Sequence, residues 1–393
     1  MLDLQRVAAA LAAKKGMFGH HTSAQDALLR AYGERWRAAA RLTRAEVEAR
    51  LSGADWPGAR PTAEHDRFGS PVVEFPERWQ NHQQARAWAR RILAGVPTFA
   101  VDGSQILPSR EFYPPVGAVQ IGWFENLHDP SGRYVKDVSF EVLSPAELGE
   151  GDEDGDETGY RSEAVNWRRF EGECRRLMEY MQSARGRQPA PVCFFDGSLI
   201  VSFAQHMLPE HQARYVEAIT RLLAVSAECR VPLVGYVDTS YAADLATMLD
   251  HLHGERLGMV ADGAFLQPLM RGWGSRTPAW LCARDAPLKV PQGAYYDQVA
   301  FVYLKTTAAN PPARLEFPRW LVEERQLDHT LDIVRAECVV GNGYPYATET
   351  ADAVAVITMQ DRQRFFAAFQ RFAAREGLPL RFSRKAGSKL GRR

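Results

Sequence analysis

Two segments of this chain carry the same short signature. FAVDGSQI at residues 99–106 and CFFDGSLI at residues 193–200 both run from a hydrophobic stretch into Asp-Gly-Ser. Each is expected to be a buried-type strand that ends at its aspartate, Asp102 or Asp196, where glycine permits the turn. A single Asp-Gly is an ordinary turn pair. Two copies, each behind a hydrophobic strand, point to more. If the two strands are adjacent and parallel, both carboxylates leave the same edge of a sheet. Carboxylates that close repel unless a cation lies between them, and hard oxygen donors suit Mg2+ or Mn2+. The chemistry open to such a pair is metal-assisted hydrolysis. Asp262-Gly263 lacks both the serine and a preceding strand and reads as a turn.

The elements that must position these acids can be read from the hydrophobic patterning. Short β-prone runs cover residues 96–101, 115–126 and 133–142, the last with clear alternation. A helix follows over about Ser162–Ala184, then a strand at Pro191–Phe195, a helix near Pro209–Ala227 and a strand at Val231–Val237. Helix Tyr241–His251, strand Val299–Leu304 and helices Trp320–Arg335, Tyr346–Met359 and Asp361–Arg375 complete the chain. Three hairpin-connected strands followed by α/β alternation predict an α/β fold, a ribonuclease-H-like mixed sheet flanked by helices. Residues 1–95 are rich in Ala, Arg, Leu and Glu and read as a helical N-terminal extension for dimerisation or partner docking. Residues 96–380 then form the core domain, and 381–393 a basic tail.

In that topology further acids come from the helix after the third strand and from a late helix. On helix 162–184 the apolar stripe Trp167, Phe170, Cys174, Met178 and Met181 has helical spacing. Glu171 borders this stripe and is the first choice, with Glu173 and Glu179 further round as alternatives. On the late helix Asp352 stands among small and apolar residues, where an unpaired acid is expensive. Glu349, one turn earlier, competes with it.

The paired AVDGS and FFDGSL strands, Tyr303-Leu304-Lys305, the ARLEFP segment (313–318) and GYPYATETADAVAVI (343–357) together resemble the NurA nuclease family. The resemblance spans about residues 95–360, with the motifs in order. It implies two-metal hydrolysis of DNA with Mn2+ (or Mg2+), as a 5′-to-3′ exonuclease and single-strand endonuclease. It also implies a homodimer that works with a HerA-type hexameric ATPase in end resection for recombinational repair. Asp102 and Asp196 match the two strand aspartates, and Glu171 the helix glutamate. Asp352 falls where a metal-binding histidine is expected in archaeal members, and a carboxylate is a reasonable substitute for a hard cation. Lys305 and Arg314 are the phosphate-contact candidates. Trp273, in an Arg-Gly-Trp-Gly turn, reads as packed rather than base-stacking.

Composition narrows the alternatives. Forty-eight basic and forty-eight acidic residues cancel, so any nucleic-acid surface must be a local patch. The tail carries Arg381, Arg384, Lys385, Lys389, Arg392 and Arg393 without an acid, and is either a solvated segment or a phosphate contact. Five scattered cysteines without CxxC argue against disulfides and zinc ribbons, and suggest a reducing, cytoplasmic setting. The acidic stretch 147–157 has calcium-loop spacing at Asp152, Asp154, Asp156 and Glu163, but Glu157 stands where that loop needs glycine. No Walker A, HExxH or GxSxG motif is present. Two readings compete with a DNA nuclease: an inert DNA-end adaptor for a translocase, and a ribonuclease-H-like enzyme acting on RNA or junctions.

Overall fold

Hydrophobic runs separated by Gly- and Pro-containing turns become eleven strands among the residues described, which are 2–109, 112–149, 157–284 and 295–382 of a computed structural model. They are β1 (Gly58–Pro61), β2 (Thr98–Ile106), β3 (Phe112–Tyr113), β4 (Gly117–Asn126), β5 (Tyr134–Leu143) and β6 (Val192–Asp196). The rest are β7 (Leu233–Val237), β8 (Trp280–Ala283), β9 (Val299–Leu304), β10 (Ala313–Pro318) and β11 (Arg381–Phe382). The chain divides into two compact units, each assembled from separate stretches.

One unit comprises residues 79–236, 288–295 and 323–393. Its strands run in the order β7-β6-β2-β4-β5. β7, β6 and β2 are mutually parallel, while β2–β4 and β4–β5 are antiparallel. This is the ribonuclease-H-like mixed order expected from the element pattern. Helices cover both faces, and strand parity tells which. Residues paired across an antiparallel ladder share a face. Phe99, Val101 and Gly103 of β2, with Ile121 and Trp123 of β4, face the long helix Glu157–Ser183. There Phe99 stacks on Tyr180 at 3.8 Å and Arg176 lies 4.3 Å over the Trp123 ring. Thr98, Asp102 and Ser104, with Gln120, Gly122 and Phe124, face helices Leu327–Val340 and Tyr346–Ala355. Thr98 there donates to Glu337 and Gln120 donates to the carbonyl of Ala355.

That second helix pair is pinned through a buried acid. Glu337 accepts from Thr98 Oγ1 (3.0 Å) and from the backbone N–H of Ala347 (2.8 Å), with His128 Nε2 3.4 Å away. The acid thus ties the start of β2 to the start of the late helix. At the other end Gly122 lets the helix down onto the sheet. A side chain there would meet the backbone of Ala355 at 2.7–2.8 Å.

The other unit gathers residues 1–78, 237–287 and 296–322. Its strands β1-β8-β9-β10 are antiparallel throughout, and every residue of β9 and β10 is buried. The N-terminal region holds helices at Leu4–Ala13, Lys15–Ala39, Arg44–Arg50 and Ala63–Phe68. However, it also supplies β1, and its first 78 residues fold with the later segments. Glu64 anchors it through a buried two-bond pair with Arg276 (2.6 and 2.8 Å). All five cysteines are buried free thiols. No helix among the described residues is long and apolar enough to cross a membrane. Residues 383–393, most of the basic tail, and 150–156, most of the acidic loop, lie outside the described residues.

Candidate active site

β2 and β6 pair in parallel with Phe99 opposite Cys193 and Val101 opposite Phe195. The next step of that register sets Asp102 beside Asp196, at the carboxyl end of both strands. The two Asp-Gly steps differ, however. β6 stops at Asp196, and Gly197 takes φ 138°, a conformation side chains resist. β2 does not turn: it continues through Asp102, Gly103 and Ser104 to Ile106, because β4 keeps pairing with it. Gly103 is needed for room instead. A methyl group on it would stand 2.5 Å from Glu173 Oε1 and 2.6 Å from Arg169 Cγ.

That contact identifies the helix acid. Glu173, rather than Glu171, is the glutamate turned to the strand aspartates. Phe170, Glu173, Cys174, Leu177, Tyr180 and Met181 are all buried, so Glu173 lies inside the sheet-facing stripe. Trp167 and Met178, which have the apolar spacing of the stripe, are only half-buried, and the stripe is rotated accordingly. Glu171 is held by Arg168 at 3.0 Å, and Arg168 also reaches Glu141 of β5. Glu179 is exposed and pairs with Arg176 at 3.6 Å.

Electrostatics link four acids. Burial, then the charges of Asp196 and Asp352, push the Asp102 carboxyl up to about 6, against the hydrogen bond from Gly103 N–H and the Arg169 charge. Asp196 is likewise raised, by protein crowding and by Asp352, although its carboxylate reaches solvent at the sheet edge. Glu173 is pushed up to about 7, chiefly by burial and further by Asp102 and Asp196. Arg169, one helical turn before Glu173, pairs with it and opposes all three shifts. Asp352 is exposed on helix Tyr346–Ala355, close enough for its charge to act on both strand aspartates. Glu349 on the same helix is exposed.

Tyr344 was missed in the sequence. Its hydroxyl donates to Asp196 Oδ1 at 2.6 Å, and its ring meets Tyr236 edge-on at 4.9 Å. The available signal was its place in the GYPY segment eight residues before Asp352.

Lys305 and Arg314 are corrected. Lys305 is 3% exposed and donates to the carbonyl of Asn310 at 2.6 Å. Arg314 is 1% exposed, bonded to Asp244 and Glu316, and stacked 3.9 Å over Phe301. Arg314 stands in the buried β10 and Lys305 just past the end of β9, both buried, so neither presents its charge to a phosphate. Trp273 is packed as expected, donating to the carbonyl of Thr306 and lying against Phe75.

The donor chemistry fits a hard divalent cation: oxygen only, acidic, and mutually repelling enough to raise the carboxyl pKa values. Among the described residues no three His, Cys, Asp or Glu side chains are gathered closely enough to hold one ion as they stand. Glu173 is drawn to Arg169 and Asp196 to Tyr344.

The sequence model of the NurA domain matches residues 96–357. The chain belongs to the NurA family. It is a NurA-type nuclease, and the NurA match encloses Asp102, Glu173, Asp196, Tyr344 and Asp352 while leaving out the first 95 residues. No curated protein matches the sequence. Among solved structures, a NurA crystal structure is similar at 10% identity, covering 70% of this chain and 88% of that one, with a TM-score of 0.43. A NurA structure with manganese is similar at 10% identity, 75% and 94% coverage and a TM-score of 0.41. The catalytic domain of human Endonuclease V is similar at 14% identity, 78% and 92% coverage and a TM-score of 0.34.

Proposed function

We propose that this NurA-family chain is a Mn2+-dependent deoxyribonuclease acting at DNA ends, with 5′-to-3′ exonuclease and single-strand endonuclease activity. The observation that carries the reading is the parallel register that sets Asp102 beside Asp196 at the carboxyl ends of β2 and β6, with Glu173 and Asp352 near enough for their charges to act on these aspartates. Family membership and the manganese in one similar NurA structure support the choice of metal. The proposal includes a homodimer, a HerA-type hexameric ATPase as partner and a role in end resection for recombinational repair, as the resemblance to the family implies.

The four carboxylates would hold the ions, Asp102 and Asp196 from the strands, Glu173 from one face and Asp352 from the other. When bound, divalent ions supply Lewis-acid activation of water and stabilise the departing oxygen. The protein's own contribution is placement. Tyr344 orients Asp196 through its hydroxyl. Gly103 leaves the space through which Glu173 approaches the strands. Pairing of β2 with β4 on one side and β6 on the other fixes the backbone that carries Asp102.

The test uses 5′-labelled and 3′-labelled single-stranded DNA, and RNA of the same sequence, in Mn2+, Mg2+ and EDTA. Wild type is expected to degrade the DNA only with metal, with Asp102→Asn and Asp196→Asn inactive though folded. Full activity of either variant would move the site elsewhere. Preferential RNA cleavage would favour a ribonuclease. DNA binding without cleavage in any metal, with or without an ATPase partner, would favour an inert adaptor.

A further inference from the structure

Arg169 is the cation that the acid cluster already contains. It sits four residues before Glu173 on the long helix and is ion-paired with it, and its Cγ stands where a side chain at Gly103 would go. Arg169 and Glu173 therefore lie side by side against the strand carrying Asp102, both at Gly103. The Arg169 charge acts on Asp102, Asp196 and Glu173 together. Exposure is unequal within the pair: the Arg169 side chain is 31% exposed and that of Glu173 only 5%. Glu173 is fixed by packing, whereas Arg169 has a way out to solvent. Its Nε is buried without a hydrogen-bond partner among the described residues, so its position is set by charge more than by a full set of hydrogen bonds.

We propose that Arg169 is a built-in counter-cation which holds Glu173 when no divalent ion is bound, and which such an ion must displace to engage Glu173. The proposal rests on the acid cluster being the metal site. Arg169 then sets the metal affinity of the cluster: it stabilises the ion-free protein and weakens ion binding by competing for the same carboxylate. Once displaced, it remains tethered one turn from the cluster, a positive charge beside the place a phosphodiester would occupy.

The experiment is calorimetric titration of the full-length chain with Mn2+ alone, together with thermal unfolding in EDTA and in saturating Mn2+. Arg169→Gln is expected to bind Mn2+ roughly five- to tenfold more tightly than wild type. It should melt at lower temperature in EDTA and gain more from added Mn2+. Arg169→Lys, which keeps the charge but loses the planar fork, should fall between the two and guards against a glutamine variant that fails to fold without metal. Equal or weaker Mn2+ binding by both variants overturns the proposal. Asp102→Asn and Asp196→Asn separate the two levels of argument. If these lose Mn2+ binding while the Arg169 variants do not tighten it, the counter-cation role is wrong and the metal site stands. If these bind Mn2+ as wild type does, the metal site itself is wrong and the counter-cation role falls with it.

Discussion

Replacing Glu173 with glutamine should make the protein more stable and less active, and the gain in stability should grow with pH. Glu173 is 4% exposed, and burial together with Asp102 and Asp196 raises its carboxyl from 4.5 to about 7. A carboxyl raised in the folded state favours folding while protonated. That contribution is fully present below pH 4.5 and is lost as pH rises through about 7. In metal-free wild type, ionising Glu173 therefore costs under about 1 kcal/mol of stability at pH 5 and about 3 kcal/mol at pH 8. Glutamine, close in shape to the neutral acid, escapes this cost. Urea unfolding in EDTA should show Glu173→Gln more stable than wild type by about those amounts, or on the order of 5–10 °C in melting temperature at pH 8. Cleavage in Mn2+ should fall on the order of a hundredfold. Glu171→Gln is the control. Glu171 is half-buried and its partner is Arg168, so the change should lower stability by less than about 1 kcal/mol and leave cleavage near wild type. A pH-dependent gain in the Glu171 variant, with none in the Glu173 variant, would refute the placement of the third acid.

Three further outcomes are expected. Gly103→Ala should cost about 1–3 kcal/mol and most of the activity, because the new methyl must displace Glu173 and Arg169. A folded, fully active alanine variant, checked by unfolding and cleavage together, would show that the approach of Glu173 is not required. Tyr344→Phe removes the donor to Asp196 and should lower cleavage about tenfold while changing stability by less than about 1.5 kcal/mol; unchanged cleavage would exclude Tyr344 from orienting Asp196. Arg314→Met removes the buried cation shared by Glu316 and Asp244, which then keeps only Arg284, and should destabilise by about 3–5 kcal/mol. If the variant stays as stable as wild type yet loses DNA affinity in a binding titration, Arg314 contacts DNA after all.

Much of the scaffold was readable because its signals are local. β9 at Val299–Leu304 matches the hydrophobic run residue for residue, and β4 and β5 agree within two residues. What failed was information carried by partners distant in the chain. β1 is four residues, Gly-Ala-Arg-Pro, with no strand pattern; it exists because β8, more than two hundred residues later, pairs with it. The expected helix Trp320–Arg335 breaks into Trp320–Glu323 and Leu327–Val340 around Arg325 at φ 58°, although arginine has no preference for that conformation. Lys305 and Arg314 looked like surface cations because the alternation of β9 and β10 was not visible as burial on both faces. Lys305 is satisfied by a nearby backbone carbonyl, that of Asn310, and Arg314 by Glu316 and by Asp244, which it meets across seventy residues.

The misread acid and the misread glycine are one error. As a turn residue, Gly103 would end β2 at Asp102, and no helix would need to come close. Once β2 is seen to continue, Gly103 becomes a missing side chain in mid-strand, facing the long helix by parity with Phe99 and Val101. A gap on a buried face must be filled, and the filler has to project from the helix directly above it. Gly172 faces the same spot, with Ile121 of β4 within 2.9 Å of where its side chain would lie, so the helix rides low on the sheet there. The next residue, Glu173, then points down at Gly103, the strand neighbour of Asp102, while Glu171 is carried round toward Arg168. A pair of glycines, one on the strand and one on the helix, thus brings a carboxylate from outside the sheet to within reach of two carboxylates at its edge. Filling either gap alone should separate the helix acid from the strand acids even with every acid retained.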